Sequence, residues 1–529
     1  MSDMNRQTDI LRQIWEKTST AVKTAFFSGL FFGIITHLFM ITNKITNWDD
    51  VTLIPGTGGS PYYGRWFIDL AHRAFSVWGA PGINGMCAVI FLVLTACWTV
   101  SVLRIRSMTG AALTAALIVT FPGVTSTLTF MYAAPVYCMA MMMEAMAVWC
   151  TVKFRSGWIP AVLLHVFAMA VYQAYYPFAV GLSILAVIYL LIAGEKLSVC
   201  VKRGVQYLAV LAAGMAAYLF SIKLSGYQLD SYRGMNEIGH TAIRDYLVGI
   251  VRAYHRILEY YVTDPASYMK GPQEVINWLL AAVLAVLAVA VLIRSGIVRS
   301  AAKSIIYLVL LGLMPLAMGL IFVMSTETQD AAGTMIFPYC LFYLTILFLA
   351  EHLTVEKAQN AARTDAVERA SFSSSLVLAA MLLLAASAFC NYRTANNAYF
   401  RSYIAQKRID AFYNRIMARV EQQDGYQYGQ QVAIIGDWWP DPNVFSSFKM
   451  DQDNFADLDG VAMENGLFST GVRPNYIRMY LGIWNSYLED DEKEAIVNSD
   501  AFKEMPVWPA EGCIKKIGNN WVVKITDRP

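Results

Sequence analysis

The sequence predicts a polytopic α-helical membrane protein of about eleven transmembrane helices with a small α/β domain at its C-terminus. Three observations predict it. The 529 residues are 57% hydrophobic and only 15% charged, against about 25% charged in soluble domains. Apolar runs of roughly 18 or more residues recur, long enough to cross a bilayer as helices. Basic residues follow alternate runs, the asymmetry expected of cytoplasmic loops.

The N-terminal lead, residues 1–22, is polar and carries Arg6, Arg12 and Lys17. No Ala-x-Ala site follows the first apolar run, which reads as a retained anchor behind a cytoplasmic flank. Spans are expected at 25–41, 83–103, 108–124, 135–152, 158–172, 176–194, 204–224, 275–293, 304–324, 337–350 and 373–391. Arg104/Arg106, Lys153/Arg155, Lys202/Arg203, Arg294/Arg299/Lys303 and the 352–371 linker mark one side of the membrane. The short loops 125–134 and 173–176 between them carry no Lys or Arg. This places the N-terminus in the cytoplasm and the C-terminus outside. Outer-face loops fall at 43–82 and 225–274.

Beyond residue 392 the composition turns polar, so residues 1–392 form the transmembrane domain and 393–529 an extracytoplasmic α/β domain. A helix over 393–422 presents Ile404, Ile409, Phe412, Ile416 and Val420 on one face. Residues 431–436 and 521–525 read as strands, the second paired with 513–517 across Gly518-Asn519.

Several function classes drop out. A net charge of +2 is too small for a nucleic-acid partner. The 8 cysteines are scattered without a CxxC pair and mostly sit in apolar runs, as small buried residues do. No GxGxxG, P-loop or HExxH occurs, which disfavours nucleotide and zinc chemistry.

The polar residues that remain concentrate just beyond the first span. Asn47, Asp49 and Asp50 precede a Gly/Pro/Ser hinge, followed by Tyr62, Tyr63, Gly64, Arg65, Trp66, Asp69, His72 and Arg73. Adjacent aspartates point in different directions on any regular backbone, so one faces a reacting group while the other orients or binds an ion. From Tyr62 a helix is expected, with Arg65, Asp69, His72 and Arg73 along one polar stripe at the membrane interface. This chemistry suits transfer of a sugar from a polyprenyl phosphate. An Asp base, Asp49 or Asp50, takes the acceptor proton. Arginine forks, Arg65 and Arg73, stabilise the leaving phosphate. The plainer alternative makes Arg65–Asp69 a helix-surface pair worth a few tenths of a kcal/mol.

Asn47-x-Asp49-Asp50 with Gly64-Arg65-Trp66 resembles the type II glucosyltransferase family of bacteria and their phages. Tyr172-Gln173-Ala-Tyr-Tyr-Pro-Phe, Ser231-Tyr-Arg-Gly234, Asn391-Tyr and Glu504-Met-Pro-x-x-Pro-x-Glu-Gly512 fit it in the same order. The resemblance spans nearly the whole chain. It implies a GT-C type glycosyltransferase in the bacterial inner membrane that moves glucose, with inversion, from undecaprenyl-phosphate glucose to a surface polysaccharide such as O-antigen. It implies too that the acidic pair supplies the base, without saying which member.

Other residues extend the site. Tyr172 and Gln173 end the fifth span on the acidic side, where they bind sugar hydroxyls or form an interfacial aromatic belt. Asn47, Trp66, Asp69 and Tyr232 are further sugar or acceptor candidates, and Arg233 a further phosphate candidate. The segment 244–261 reads as an amphipathic interfacial helix. Glu144 is an intramembrane acid, functional by default or packed on a polar neighbour. His37 and His165 read as hydrogen-bonded core histidines. No cofactor is required, although Asp49 and Asp50 are suitable oxygen ligands for Mg²⁺ or Mn²⁺. The rival readings are a flippase for lipid-linked saccharides, which needs polar groups near the midplane, and an outer-face polymerase.

Overall fold

A computed structural model of the chain describes residues 12–13, 15–52, 61–231, 242–325, 327–331, 333–360, 366–437, 455, 457–461, 464–483 and 488–526. Its longer helices are α1 (Thr20–Thr42), α2 (Pro81–Val102), α3 (Met108–Val119), α4 (Pro122–Thr129), α5 (Ala134–Lys153), α6 (Trp158–Met169) and α7 (Tyr176–Ile192). Then come α8 (Leu197–Ser225), α9 (Ile243–Leu258), α10 (Pro272–Arg294), α11 (Ala301–Gly312), α12 (Leu341–Asn360) and α13 (Ala366–Glu421).

Each of the eleven apolar runs is helical, but not all as simple spans. Among the described residues, eight helices are long and apolar enough to cross a membrane, or nine if α3 and α4 count as one. Those two meet at a 43° bend. Pro122 opens α4 and holds Phe121 extended at ψ 140°, since the residue before proline avoids the helical region. The remaining runs give the shorter apolar helices Trp158–Met169 and Phe337–Leu353. After α6 the chain turns through Tyr172, extended at φ −160°, into a 3-10 turn at Gln173–Tyr175. Of the eleven expected runs, eight or nine among the described residues thus meet the length and composition of a full span and two are shorter apolar helices, because backbone breaks interrupt runs that are continuous in hydropathy.

The charged and imidazole side chains His37, Glu144, His165 and Glu351 inside the bundle are paired. His37 bridges the Tyr399 hydroxyl and the Val119 carbonyl at 2.8 Å each. Glu144 closes onto His165 at 2.6 Å. Glu351 accepts from the backbone of Arg106 and Ser107 at 2.9 and 2.8 Å, fixing the start of α3. The cysteines are free and, Cys87 apart, buried.

Helix α13 runs unbroken through residue 392 and carries the membrane bundle into the C-terminal region. Its buried residues Ile409, Tyr413, Ile416 and Val420 pack against a small sheet. That sheet has β1 (Val432–Ile435) parallel to β3 (Asn520–Lys524), and β2 (Ile514–Ile517) antiparallel to β3, as the Gly518-Asn519 turn predicts. Arg473 knots this region together by donating to the carbonyls of Ile434, Gly436 and Phe468. Glu464 receives a two-pronged contact from Arg401, at 3.1 and 2.8 Å, and a bond from Arg408 at 2.9 Å.

Burial opposes ionisation of Glu464, but the hydrogen bonds and charge of Arg401 and the bond from Arg408 outweigh it and hold the carboxyl below its usual range. A depressed folded-state pKa stabilises above the unfolded value, and the gain is lost as pH falls through the folded one. Glu464→Gln should therefore cost on the order of 3 kcal/mol at pH 7, read as a lowered unfolding temperature of the purified protein. The difference from wild type should shrink as the pH is lowered below about 4.

Candidate active site

Helix α1 ends at Thr42, and a single turn, Trp48–Thr52, follows after an extended link. Asn47 sets its direction. The Asn47 side-chain oxygen accepts from the Asp50 amide at 2.9 Å, and its amide group donates to the Thr129 carbonyl at 2.8 Å. This caps the turn and ties it to the end of α4. The two acids then diverge. Asp50 is fully buried, 3.3 Å from Lys44 Nζ and 3.3 Å from the Tyr132 amide. Lys44 also reaches the Gly79 carbonyl.

Asp49 is half-buried and lies within electrostatic reach of Asp459, Asp50 and Arg65. Burial, then the charges of Asp459 and Asp50, push its carboxyl up to about 6, with Arg65 pulling the other way. A carboxylate tuned this close to neutrality suits proton abstraction. Asp459 belongs to the C-terminal region, where the Thr129 hydroxyl donates to its carbonyl at 3.4 Å. Gly460 beside it has φ +82°, and its α-carbon lies so close to Thr129 and Phe130 that a side chain has no room.

Arg65 does not lie on the expected helix. Gly64 sits at φ +72°, which a right-handed helix cannot pass. A 3-10 turn (Pro61–Tyr63) and a five-residue helix (Ile68–His72) stand instead of one polar stripe. The turn aims Arg65 at aromatic rings, its guanidinium 4.6 Å from the centre of Tyr172 and 5.9 Å from that of Tyr63. Tyr172 is held by stacking on Tyr137 at 4.9 Å and by its hydroxyl, 3.2 Å from Thr334. Gln173 donates to the Tyr63 carbonyl at 2.9 Å and to the Tyr218 hydroxyl at 2.6 Å. Arg65, Tyr172 and Gln173 line a cavity of about 270 Å³ whose walls are otherwise largely apolar, Met215, Leu219 and Met324 among them.

The structure thus gathers Asp49, Asp50, Arg65, Tyr172 and Gln173. Asn47 is a buried cap, and Trp66 is an anchor whose indole donates to Ser221 at 3.0 Å. Asp69 pairs electrostatically with the buried His72. Arg73 is exposed, off the Arg65 cavity. Tyr232 and Arg233 lie outside the described residues. Sequence reasoning missed Lys44, Tyr218 and Asp459. The repeated acids Asp457-Leu-Asp459-Gly460 were a visible signal, but only the fold shows that they meet the first outer loop. Among the described residues no group of three or more His, Cys, Asp or Glu is placed to hold a metal ion.

A family model described as glucosyl transferase GtrII matches residues 38–350, which contain Lys44, Asp49, Asp50, Arg65, Tyr172, Gln173 and Tyr218 but not the 457–460 loop. No curated protein and no solved structure matches the chain.

The two acids should separate in stability measurements at pH 7.5. Asp50→Ala strands Lys44 and the Tyr132 amide and should cost on the order of 3 kcal/mol. Asp49→Asn removes a charge whose ionisation the fold resists, so its unfolding temperature should match or exceed wild type.

Proposed function

The chain belongs to the glucosyl transferase GtrII family, and from that premise we propose which bond it makes and with which residues. It is a multi-pass membrane glycosyltransferase of the GT-C type. The proposed reaction moves a hexosyl group, glucose in keeping with the family description, from a polyprenyl phosphate to a hydroxyl of a surface polysaccharide. It takes place at the outer face of the bacterial inner membrane.

The observation that carries this reading is the Arg65 cavity, with Asp49 near enough for the Arg65 charge to act on it. A lipid donor needs an apolar slot for its first prenyl units and a cation where the phosphate emerges. The cavity offers both, with Arg65 oriented by Tyr172. Asp49 takes the proton of the acceptor hydroxyl as that oxygen bonds to the sugar's anomeric carbon. The bond from that carbon to the phosphate oxygen breaks, and its electron pair leaves with polyprenyl phosphate, whose growing charge Arg65 meets. One direct displacement inverts the anomeric centre. Asp50, engaged with Lys44, keeps the turn in place and is not the base.

Orientation rests on the bundle's two ends. Lys303 reaches the Gly194 carbonyl at 3.5 Å, Arg104 lies over Tyr189, and Glu351 caps α3 beside Arg106. These basic ends assemble together, while the acids and Arg65 gather at the opposite ends of α1 and α8. The positive-inside rule puts the former in the cytoplasm. A flippase is less well supported, because deep Glu144 is closed onto His165 rather than lining a route.

Purified protein in nanodiscs, given polyprenyl-phosphate glucose and a bacterial polysaccharide, should release free polyprenyl phosphate. Asp49→Asn should lower that rate by a factor on the order of 10²–10⁴. Arg65→Gln should lower it by about a hundredfold. A fully active Asp49→Asn protein would remove the base from the mechanism.

A further inference from the structure

A second cleft, of about 370 Å³, plays no part in the chemistry above. Its character differs from that of the Arg65 cavity: Tyr260, Tyr268, Tyr339, Arg256, Asp330 and Asp457 all line it. Tyr260 and Tyr339 rings lie 5.0 Å apart, and the Tyr260 and Tyr268 hydroxyls are 3.1 Å apart. Arg256 pairs with Asp330 at 2.6 Å.

The two cavities share a wall. Ile321 and Val323 face the Arg65 cavity, while Phe322 between them faces the cleft. Met335 lines the first and Ile336 the second. One loop of the C-terminal region also joins the cleft to the acids. Asp457 accepts from the Ser267 amide and hydroxyl at 2.7 and 2.6 Å on the cleft side. Two residues on, the Asp459 charge acts on Asp49. Tyr268 packs on the cluster of Phe455, Leu458 and Val461 that fixes this loop.

Resting on the transferase reading, we propose that this cleft is the acceptor subsite and that it takes a neutral hexose chain. Tyrosine rings offer flat apolar faces to the C–H faces of pyranoses. Carboxylates accept from sugar hydroxyls and the guanidinium donates to them. The arrangement separates the two substrates by chemistry: the lipid phosphate enters the apolar cavity and the saccharide the polar cleft, from which the 457–459 loop leads to within electrostatic reach of Asp49. The C-terminal region thereby gains a role, since its 457–460 loop forms the edge over which the acceptor passes.

The full-length protein in nanodiscs tests this in two arms. Asp264 and Lys270 also line the cleft, at its exposed rim; in the kinetic arm, Tyr268→Ala and the double variant Asp264→Asn/Lys270→Ala should each raise the acceptor KM about tenfold. The donor KM and the slow cleavage of donor by water should stay within twofold. Acceptor KM values unchanged in both variants would overturn the proposal. In the binding arm, a neutral hexose tetrasaccharide bearing a diazirine is photocrosslinked to the Asp49→Asn protein and mapped by mass spectrometry. Labels within 260–270 or on Asp330 uphold the cleft even if no polyprenyl phosphate is ever released, which would sink only the transferase reading. Labels confined to other surfaces overturn the cleft while leaving donor cleavage intact.

Discussion

The site depends on Asn47. One amide side chain caps the Trp48–Thr52 turn and binds the Thr129 carbonyl, so the outer end of α1 is locked to the broken pair α3–α4. From that lock the rest follows. With the turn fixed, Asp50 must point inward to Lys44, and Asp49, one residue earlier, must point outward. The same Thr129 carries the Asp459 carbonyl, so a single strand of backbone at the end of α4 registers the first outer loop against the C-terminal region.

Two neighbouring carboxylates therefore do different work, and environment decides which does what. Asp50 sits where a buried charge is tolerable only because an ammonium and an amide meet it. Asp49 has no ion-pair partner among the described residues, feels the Arg65 charge only at longer range, keeps partial contact with water and feels two other acids. Its raised proton affinity is a consequence of where the fold puts it, not of its residue type. Helix α13 adds rigidity to this arrangement, because it passes from the bundle into the C-terminal core without a break and is clasped there by Glu464.

Much of this was legible in the sequence. Bilayer thickness dictates long apolar runs, so the helices at Thr20–Thr42, Pro81–Val102 or Pro272–Arg294 announce themselves. The divergence of adjacent aspartates follows from backbone geometry alone, and Gly518-Asn519 marks the β2–β3 hairpin. Where the reading failed, local backbone overrode hydropathy or charge periodicity. Pro122 bends one span, and the extended Tyr172 cuts another short. Gly64 at φ +72° ends the helix that would have put Arg65, Asp69, His72 and Arg73 on one stripe. Arg65 reaches the site for a different reason than expected, by lying against Tyr172. Asp459 was not legible as a partner at all, since its meeting with Asp49 joins opposite ends of the chain through tertiary packing.

The most direct test of the central claim, that Asp49 is the base and that its neighbours set its proton affinity, is a pH profile of kcat/KM for wild type and Asp459→Asn. An Asp base must be ionised, so the wild-type rate should climb tenfold per pH unit on the acid side and level off above about 6. Because the Asp459 charge helps to raise Asp49, the Asp459→Asn profile should turn over at lower pH. A wild-type profile flat from about pH 4.5 to 8, or the same midpoint in both proteins, would contradict the account.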